Sequence, residues 1–390
     1  MPGSTYSLAP TTAEPIRSVT RVAPPRDFYI DRLRSVMTVL VILHHTAITY
    51  GAMGGWFWHE IQPSRAPSSI LLILFCTTNQ AYFMAFFFLL AGYFTPASLD
   101  RKGYGHFIRD RFIRLGIPIL AFVIILGPLT AALVTAAQGQ GFWSTFVAIW
   151  HRREVIIGPL WFAEALLIFS LWYVLWRRIG GPQPGSPETA KQNSTPVPSW
   201  RAWLVGALIV GAAALALRQF FPIGTSLYGY WAPYVFLFVV GIRAKPRNWF
   251  AQLTWTDARP WIIIACIVWP ILPLAWRFSG GHANFNTGFS WAAFIYAFWE
   301  PFIAWGIIAT WILVFREHMN QSSAVWEWLN RRAYAVYIIH PPVLVGISLL
   351  LHPWIAPALL KFAATGTLAC VATWLIADPL VRIPGLRRVV

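Results

Sequence analysis

Charge is what this 390-residue chain lacks most. Asp, Glu, Lys and Arg make up 11% of it, against 57% for hydrophobic residues, whereas soluble domains carry about 25% charged residues. That excludes an ordinary soluble globule and leaves a protein that crosses a membrane many times. Acids are scarcer still: 14 Asp and Glu stand against 30 Lys and Arg, for a net charge of +16. Such a balance could serve nucleic acid, but the cations sit in short stretches between apolar runs. Membrane orientation accounts for that placement, so no nucleic-acid partner is expected. Only three cysteines occur, Cys76, Cys266 and Cys370, each inside an apolar run. With no CxxC and no Cys/His ligand spacing, neither a disulfide framework nor a metal centre is expected. Walker A, GxGxxG, HExxH and GxSxG patterns are also missing. ATP-driven transport, dehydrogenase, zinc-protease and serine-hydrolase chemistry therefore lack their sites. The first 25 residues hold no apolar core, so no cleavable signal peptide is expected.

What is there is a series of apolar runs, near residues 35–51, 71–95, 115–137, 158–176, 202–218, 230–243, 260–277, 291–315, 333–351 and 356–377. They predict an all-α, polytopic membrane bundle of about ten transmembrane helices. Ten crossings put both termini on one side. The stretches on that side hold 24 of the 30 Lys and Arg; Arg65, Arg152, Arg153, Arg218, Arg277 and Lys361 fall opposite. The positive-inside rule then places both termini in the cytoplasm. The division expected is a cytoplasmic tail over 1–30, a transmembrane domain over 31–380, and a second cytoplasmic tail over 381–390. Residues 177–201, rich in Pro, Gly and Ser, predict a flexible cytoplasmic loop. The sequons at Asn193 and Asn320 lie on the cytoplasmic side and are expected to stay unused. Many of the 23 Trp sit at run ends, Trp56, Trp58, Trp150, Trp176, Trp200 and Trp261 among them, where indoles favour the headgroup boundary.

The first run carries Arg34 and His45, eleven positions apart. Eleven steps of about 100° return to nearly the same helix face, about 16 Å further along the axis. A cation at the membrane surface and an imidazole within the bilayer would line one path. Ionisable groups at that depth are costly and mark function. Desolvation favours a neutral imidazole, with a lone pair free to act as a general base. His44 points about 100° away and is expected to pack against a neighbouring helix. Further on, Arg101, Lys102, Arg109, Arg111 and Arg114 cluster before Pro118. Arg111 and Arg114 share a face three residues apart, suited to the phosphates of a nucleotide-bearing donor.

These residues resemble the membrane acyltransferase 3 family. The resemblance rests on the Asp31-Arg32-Leu33-Arg34 start, the Arg-then-ten-then-His spacing and the Ala91-Gly92-Tyr93 turn. It rests also on the RxxRLxxP stretch from Arg111 to Pro118, on PLWFAEALL at Pro159–Leu167, and on AYAVYIIHPPVL at Ala333–Leu344. It runs in order through nearly the whole chain. The family's turn usually reads Ser-Gly-Phe; Ala91 removes that hydroxyl. The pattern looks similar to the branch containing glucan-modifying succinyltransferases. The resemblance implies a multi-pass enzyme of a bacterial inner membrane. It implies transfer of an acetyl, succinyl or similar group from cytoplasmic acyl-CoA, a co-substrate rather than a bound cofactor, to a hydroxyl of a carbohydrate or other envelope acceptor. It implies His45 and Arg34 as the catalytic pair.

Three more ionisable residues fall inside runs. Glu164 lies about 9 Å from one end of its run, Glu300 about 14 Å inside and just before Pro301, and His340 about 10 Å inside and just before two prolines. Each is a candidate for lining an acceptor or donor tunnel, or for tying helices together. The rival function is a proton-coupled secondary transporter of a polar solute using the same buried groups. Such transporters show inverted repeats and paired broken helices, and no repeat of convincing period appears here.

Overall fold

In lipid every backbone amide must find its partner within the protein, which leaves an apolar run one choice, the helix. The computed structural model describes residues 27–181, 195–223, 227–280 and 283–389. The chain before residue 27, and the centre of the 177–201 stretch with Asn193, lie outside the described residues. In order the helices are α1 (Phe28–Thr49), α2 (Pro67–Arg111), α3 (Ile117–Ala121), α4 (Gly127–Ala137), α5 (Phe142–His151), α6 (Trp161–Ile179) and α7 (Trp200–Phe220). They continue with α8 (Trp231–Ala244), α9 (Trp249–Gln252), α10 (Trp255–Val268), α11 (Ile271–Phe278), α12 (Trp291–His318), α13 (Ala324–Leu350) and α14 (Ala358–Arg382).

Among the described residues, seven helical stretches are long and apolar enough to cross a membrane. One of them, Pro67–Ala137, has 71 residues and would be roughly 107 Å long if straight, several times the ~30 Å hydrocarbon core. It breaks at Gly103, whose φ of 69° and ψ of 170° are not helical, a left-handed setting that glycine adopts without cost. Two expected runs, 71–95 and 115–137, therefore lie on the two sides of that break. Two others fall outside the seven. Helix α1 carries Asp31, Arg32, Arg34 and two histidines, and α8 has only 14 residues.

Helix α1 occupies the centre, packed against α2, α12, α13 and α14. Ile30, Leu33, Met37, Ile42 and Ala47 on it are fully buried. Its first amides are met from outside the helix: the Asn320 Oδ1 accepts from Tyr29 N at 3.2 Å. The expected Gly92 turn proves to be a packing device. A Cβ on Gly92 would overlap the Phe238 carbonyl, and one on Gly241 would overlap the Leu89 carbonyl. The missing side chains let α2 and α8 touch backbone to backbone, as small residues do between membrane helices.

Proline supplies the second joining rule. A proline within a helix leaves the carbonyl four residues back without its amide, and in lipid another donor must be found. Pro118 frees Arg114, whose carbonyl accepts from the Tyr334 hydroxyl at 2.6 Å. Pro128 frees Ile124, met by Trp150 Nε1 at 3.1 Å; Pro273 frees Trp269, met by Trp299 Nε1 at 3.2 Å. Pro341 frees Tyr337, met by His340 Nδ1 at 2.7 Å. This last case decides the chemistry of the site.

Candidate active site

Because a carbonyl only accepts, the His340 nitrogen facing Tyr337 O carries the proton. A neutral His340 then offers the lone pair of Nε2, which lies 3.2 Å from His45 Nδ1. His45 therefore donates from Nδ1 and keeps the lone pair on Nε2. The Pro341-Pro342 pair thus fixes, through one freed carbonyl and two rings, the tautomer that a general base needs. Neither the tautomer nor the contact between α1 and α13 follows from helix periodicity. His340, expected as a tunnel or helix-tying residue, is hydrogen-bonded to His45 and to the Tyr337 carbonyl.

The rings share a platform. Trp56, in the segment after α1, stacks beneath His45 with centroids 4.0 Å apart and planes 13° from parallel. It lies 6.0 Å from the His340 ring at 8°. His44 is stacked on Phe83 of α2 at 5.1 Å, as expected of a packing residue, and is also among the residues lining the cavity.

That cavity has a volume of about 1000 Å³ and is walled in part by His44, His45, Tyr337, Trp161, Gln80 and Asn284. Its lining includes the loop residues Met53–Gly55 and Ala283–Asn286. Tyr337 is fixed in the wall by donating its hydroxyl to the Pro159 carbonyl, so the PLWF and YIIHPP segments meet here. Aromatic faces beside amide and hydroxyl groups suit a polyhydroxylated ligand.

At the other end of α1 the structure gathers the sequence's cations. Arg34, Arg111 and Arg114 lie within electrostatic reach of one another. Arg114 sits in a π-helical turn, Phe112–Gly116, a widened geometry common at functional sites. Arg34 is half exposed and lies 4.0 Å from Asp31; Arg114 is exposed. Three cations stand here beside two acids, Asp31 and Asp110, an excess of positive charge that attracts anions. From it a column of rings runs along α13 towards His45: Tyr334 to Tyr337 at 6.2 Å, Tyr337 to His340 at 6.1 Å. Their three-residue spacing keeps them near one face.

The remaining candidates sit elsewhere. Glu164 is exposed, in the first turn of α6, and is not in the cavity wall. Glu300 is 2% exposed and forms an ion pair with Arg218, which is itself fully buried. Helix α12 runs through Pro301 without opening. Arg218, expected in a loop, is instead held over the Tyr296 ring at 4.7 Å. Lys361, also expected in a loop, is buried and paired with Glu60. Two of the six cations opposite the main group are therefore paired inside the protein, as are Arg177 with Asp100 and Arg332 with Asp378 in the main group. Sequence periodicity does not place Arg218 and Glu300 together; the shortage of acids inside the runs does mark Glu300 as needing a cation.

A family model described as an acyltransferase domain matches residues 27–378. Glucans biosynthesis protein C of Salmonella typhi is 23% identical over 365 residues, covering 88% of this chain and 89% of that protein. The protein of the same name from Salmonella typhimurium gives the same values, and that of Salmonella paratyphi A is 22% identical over the same coverage. The match takes in the central helix, the cation cluster, the histidine pair and most of the last helix, and the chain belongs to this acyltransferase family as a multi-pass membrane enzyme.

Proposed function

We propose that the protein moves a small acyl group, acetyl, succinyl or similar, from cytoplasmic acyl-CoA to a carbohydrate hydroxyl at the far face of a bacterial inner membrane. The observation that carries this reading is the division of α1: a cation cluster around Arg34 at one end, and about 16 Å along the axis an imidazole with its Nε2 lone pair free beside a polar, aromatic cavity. The CoA phosphates are held by Arg111, Arg114 and Arg34, and the thioester arm follows the Tyr334–Tyr337 column. The acceptor enters the cavity from the opposite side. The relatives' name supports a glucan as acceptor.

In the reaction the acceptor hydroxyl gives its proton to His45 Nε2 as its oxygen attacks the thioester carbon. The C–O bond forms, the C–S bond breaks, and the thiolate leaves with the proton that His45 held. His340 keeps the His45 ring in register while the charge appears, as an orienting partner does in other base-catalysed transfers.

The same reading includes ten crossings with both termini in the cytoplasm, α1 and α8 among the crossings. In a cysteine-free background, Ser199→Cys should be shielded from impermeant thiol reagents in intact cells and Gln140→Cys should react. Reversed labelling would put the cation cluster outside and remove the cytoplasmic donor. For the donor site, the double change Arg111→Gln/Arg114→Gln should raise the KM for acyl-CoA by about a hundredfold or more, since charge-assisted bonds are worth about 1.5–3 kcal/mol each. The kcat should change little. A loss confined to membrane abundance would assign these arginines to anchoring alone.

A further inference from the structure

We infer that Trp56 is a positioning residue for the reaction, a π platform that stabilises the imidazolium formed when His45 takes the acceptor's proton. The inference rests on the proposed role of His45 as proton acceptor. Its own observation is the stacking: one indole lies nearly parallel to both His45 and His340, at 4.0 and 6.0 Å. A charge on either ring of the hydrogen-bonded pair therefore stands over the same face. Tryptophan presents the strongest ring quadrupole to a cation, and the attraction grows where water is excluded. Forming a cation at this half-buried place costs part of its hydration, and the platform offsets some of that cost where the charge develops.

The segment that carries Trp56 is built to hold it still. Gly51 and Gly54 take φ of 121° and 151°, which turns the chain back over the end of α1 at positions that favour glycine. Glu60 N and Ile61 N donate to the Thr49 carbonyl at 2.9 and 3.1 Å. The Tyr50 hydroxyl lies 2.8 Å from Thr365 Oγ1 on α14. Glu60 forms a buried ion pair with Lys361, and His352 lies 3.5 Å from the same carboxylate. Both ends of the segment are thus tied to helices before the indole is placed, and preorganisation of this kind is what electrostatic stabilisation requires. A tryptophan serving only as a headgroup anchor would not need these ties, nor a face parallel to two imidazoles.

The test replaces Trp56 site-specifically with 5-fluoro-, 5,7-difluoro- and 5,6,7-trifluorotryptophan in the full-length protein. These keep the shape of the indole and withdraw charge from its face stepwise. The logarithm of kcat for acyl transfer should fall steadily with each fluorine, with the KM for acyl-CoA and for the acceptor unchanged. Trp56→Leu should lose about thirty-fold in kcat and Trp56→Phe less. A flat fluorine series in a protein that transfers acyl groups normally would overturn the inference and leave the reading of His45 standing; so would a loss expressed wholly in KM.

Discussion

His45→Ala should lower acyl transfer by about 10²–10⁴ in kcat, the usual worth of a positioned general base, while the protein remains inserted and folded. The geometry makes the expectation selective. His45 alone has its Nδ1 hydrogen-bonded to His340, and the Pro341-freed carbonyl fixes the direction of both protons. His44→Ala should keep transfer within about tenfold of wild type, because the His44 ring is stacked on Phe83 and is not in the relay. His45→Asn separates polarity from basicity: the amide can hydrogen-bond but cannot take a proton. It should be as inactive as His45→Ala. His340→Gln should lose less, since His45 keeps its lone pair and loses only its orientation. Acylation of the cell's carbohydrate, scored by mass spectrometry beside membrane abundance of each variant, checks the series. An inactive His44→Ala with an active His45→Asn would transfer the assignment to the wrong helix face and remove the Arg34–His45 line.

Arg218→Met should be the most destabilising single change away from the histidines. It leaves Glu300 buried with no cation, and breaking a buried pair from one side costs about 3–5 kcal/mol. Arg218 is fully buried and Glu300 is 2% exposed, so water does not replace the lost partner. The double change Arg218→Met/Glu300→Leu should recover most of the loss, because removing both charges ends the desolvation cost as well as the attraction. Thermal unfolding of the detergent-purified proteins reads the effect. Equal losses for the single and the double change would show that the Arg218 side chain matters through its packing on Tyr296, not through its charge.

Much of this arrangement is legible in the sequence for simple reasons. The apolar runs are unmistakable because charge is so scarce, and they fall mainly on helix, 260–277 being divided by a turn at Trp269–Pro270. The Arg34–His45 line is legible because α1 is regular from Phe28 to Thr49, so residue spacing converts directly into position. Arg111 and Arg114 lie near each other and near Arg34, though the π turn at Phe112–Gly116 begins between them. The crossings are less evenly legible: α1 and α8 fall outside the seven stretches that length and composition mark as spans, one because it carries the site's charges and one because it is short.

Contacts between distant segments are hidden from such reading. Trp56 looks like any indole at the end of a run, and only the turn at Gly51 and Gly54 shows that it folds back under His45. Arg218 looks like an outer-loop cation, because hydropathy at the end of a run cannot tell a side chain in water from one paired inside; Glu300, its partner, lies 82 residues away. His340 is an intermediate case. Two prolines after a histidine announce a freed carbonyl one turn back, and a histidine beside such a carbonyl has an obvious donor role. What the sequence does not disclose is that the other nitrogen of that ring faces His45.

The central claim, that His45 accepts the proton as acyl passes from CoA to a carbohydrate hydroxyl, is tested most directly with purified protein in lipid nanodiscs. Labelled acetyl-CoA and succinyl-CoA are supplied with candidate carbohydrate acceptors, and label is followed on the carbohydrate and on the denatured protein. The wild-type protein should place label on the carbohydrate as an ester, with none retained on the protein, and His45→Asn should place none on either. Ester formed by His45→Asn at the wild-type rate, or label held on His45 of the wild-type protein, would contradict the account.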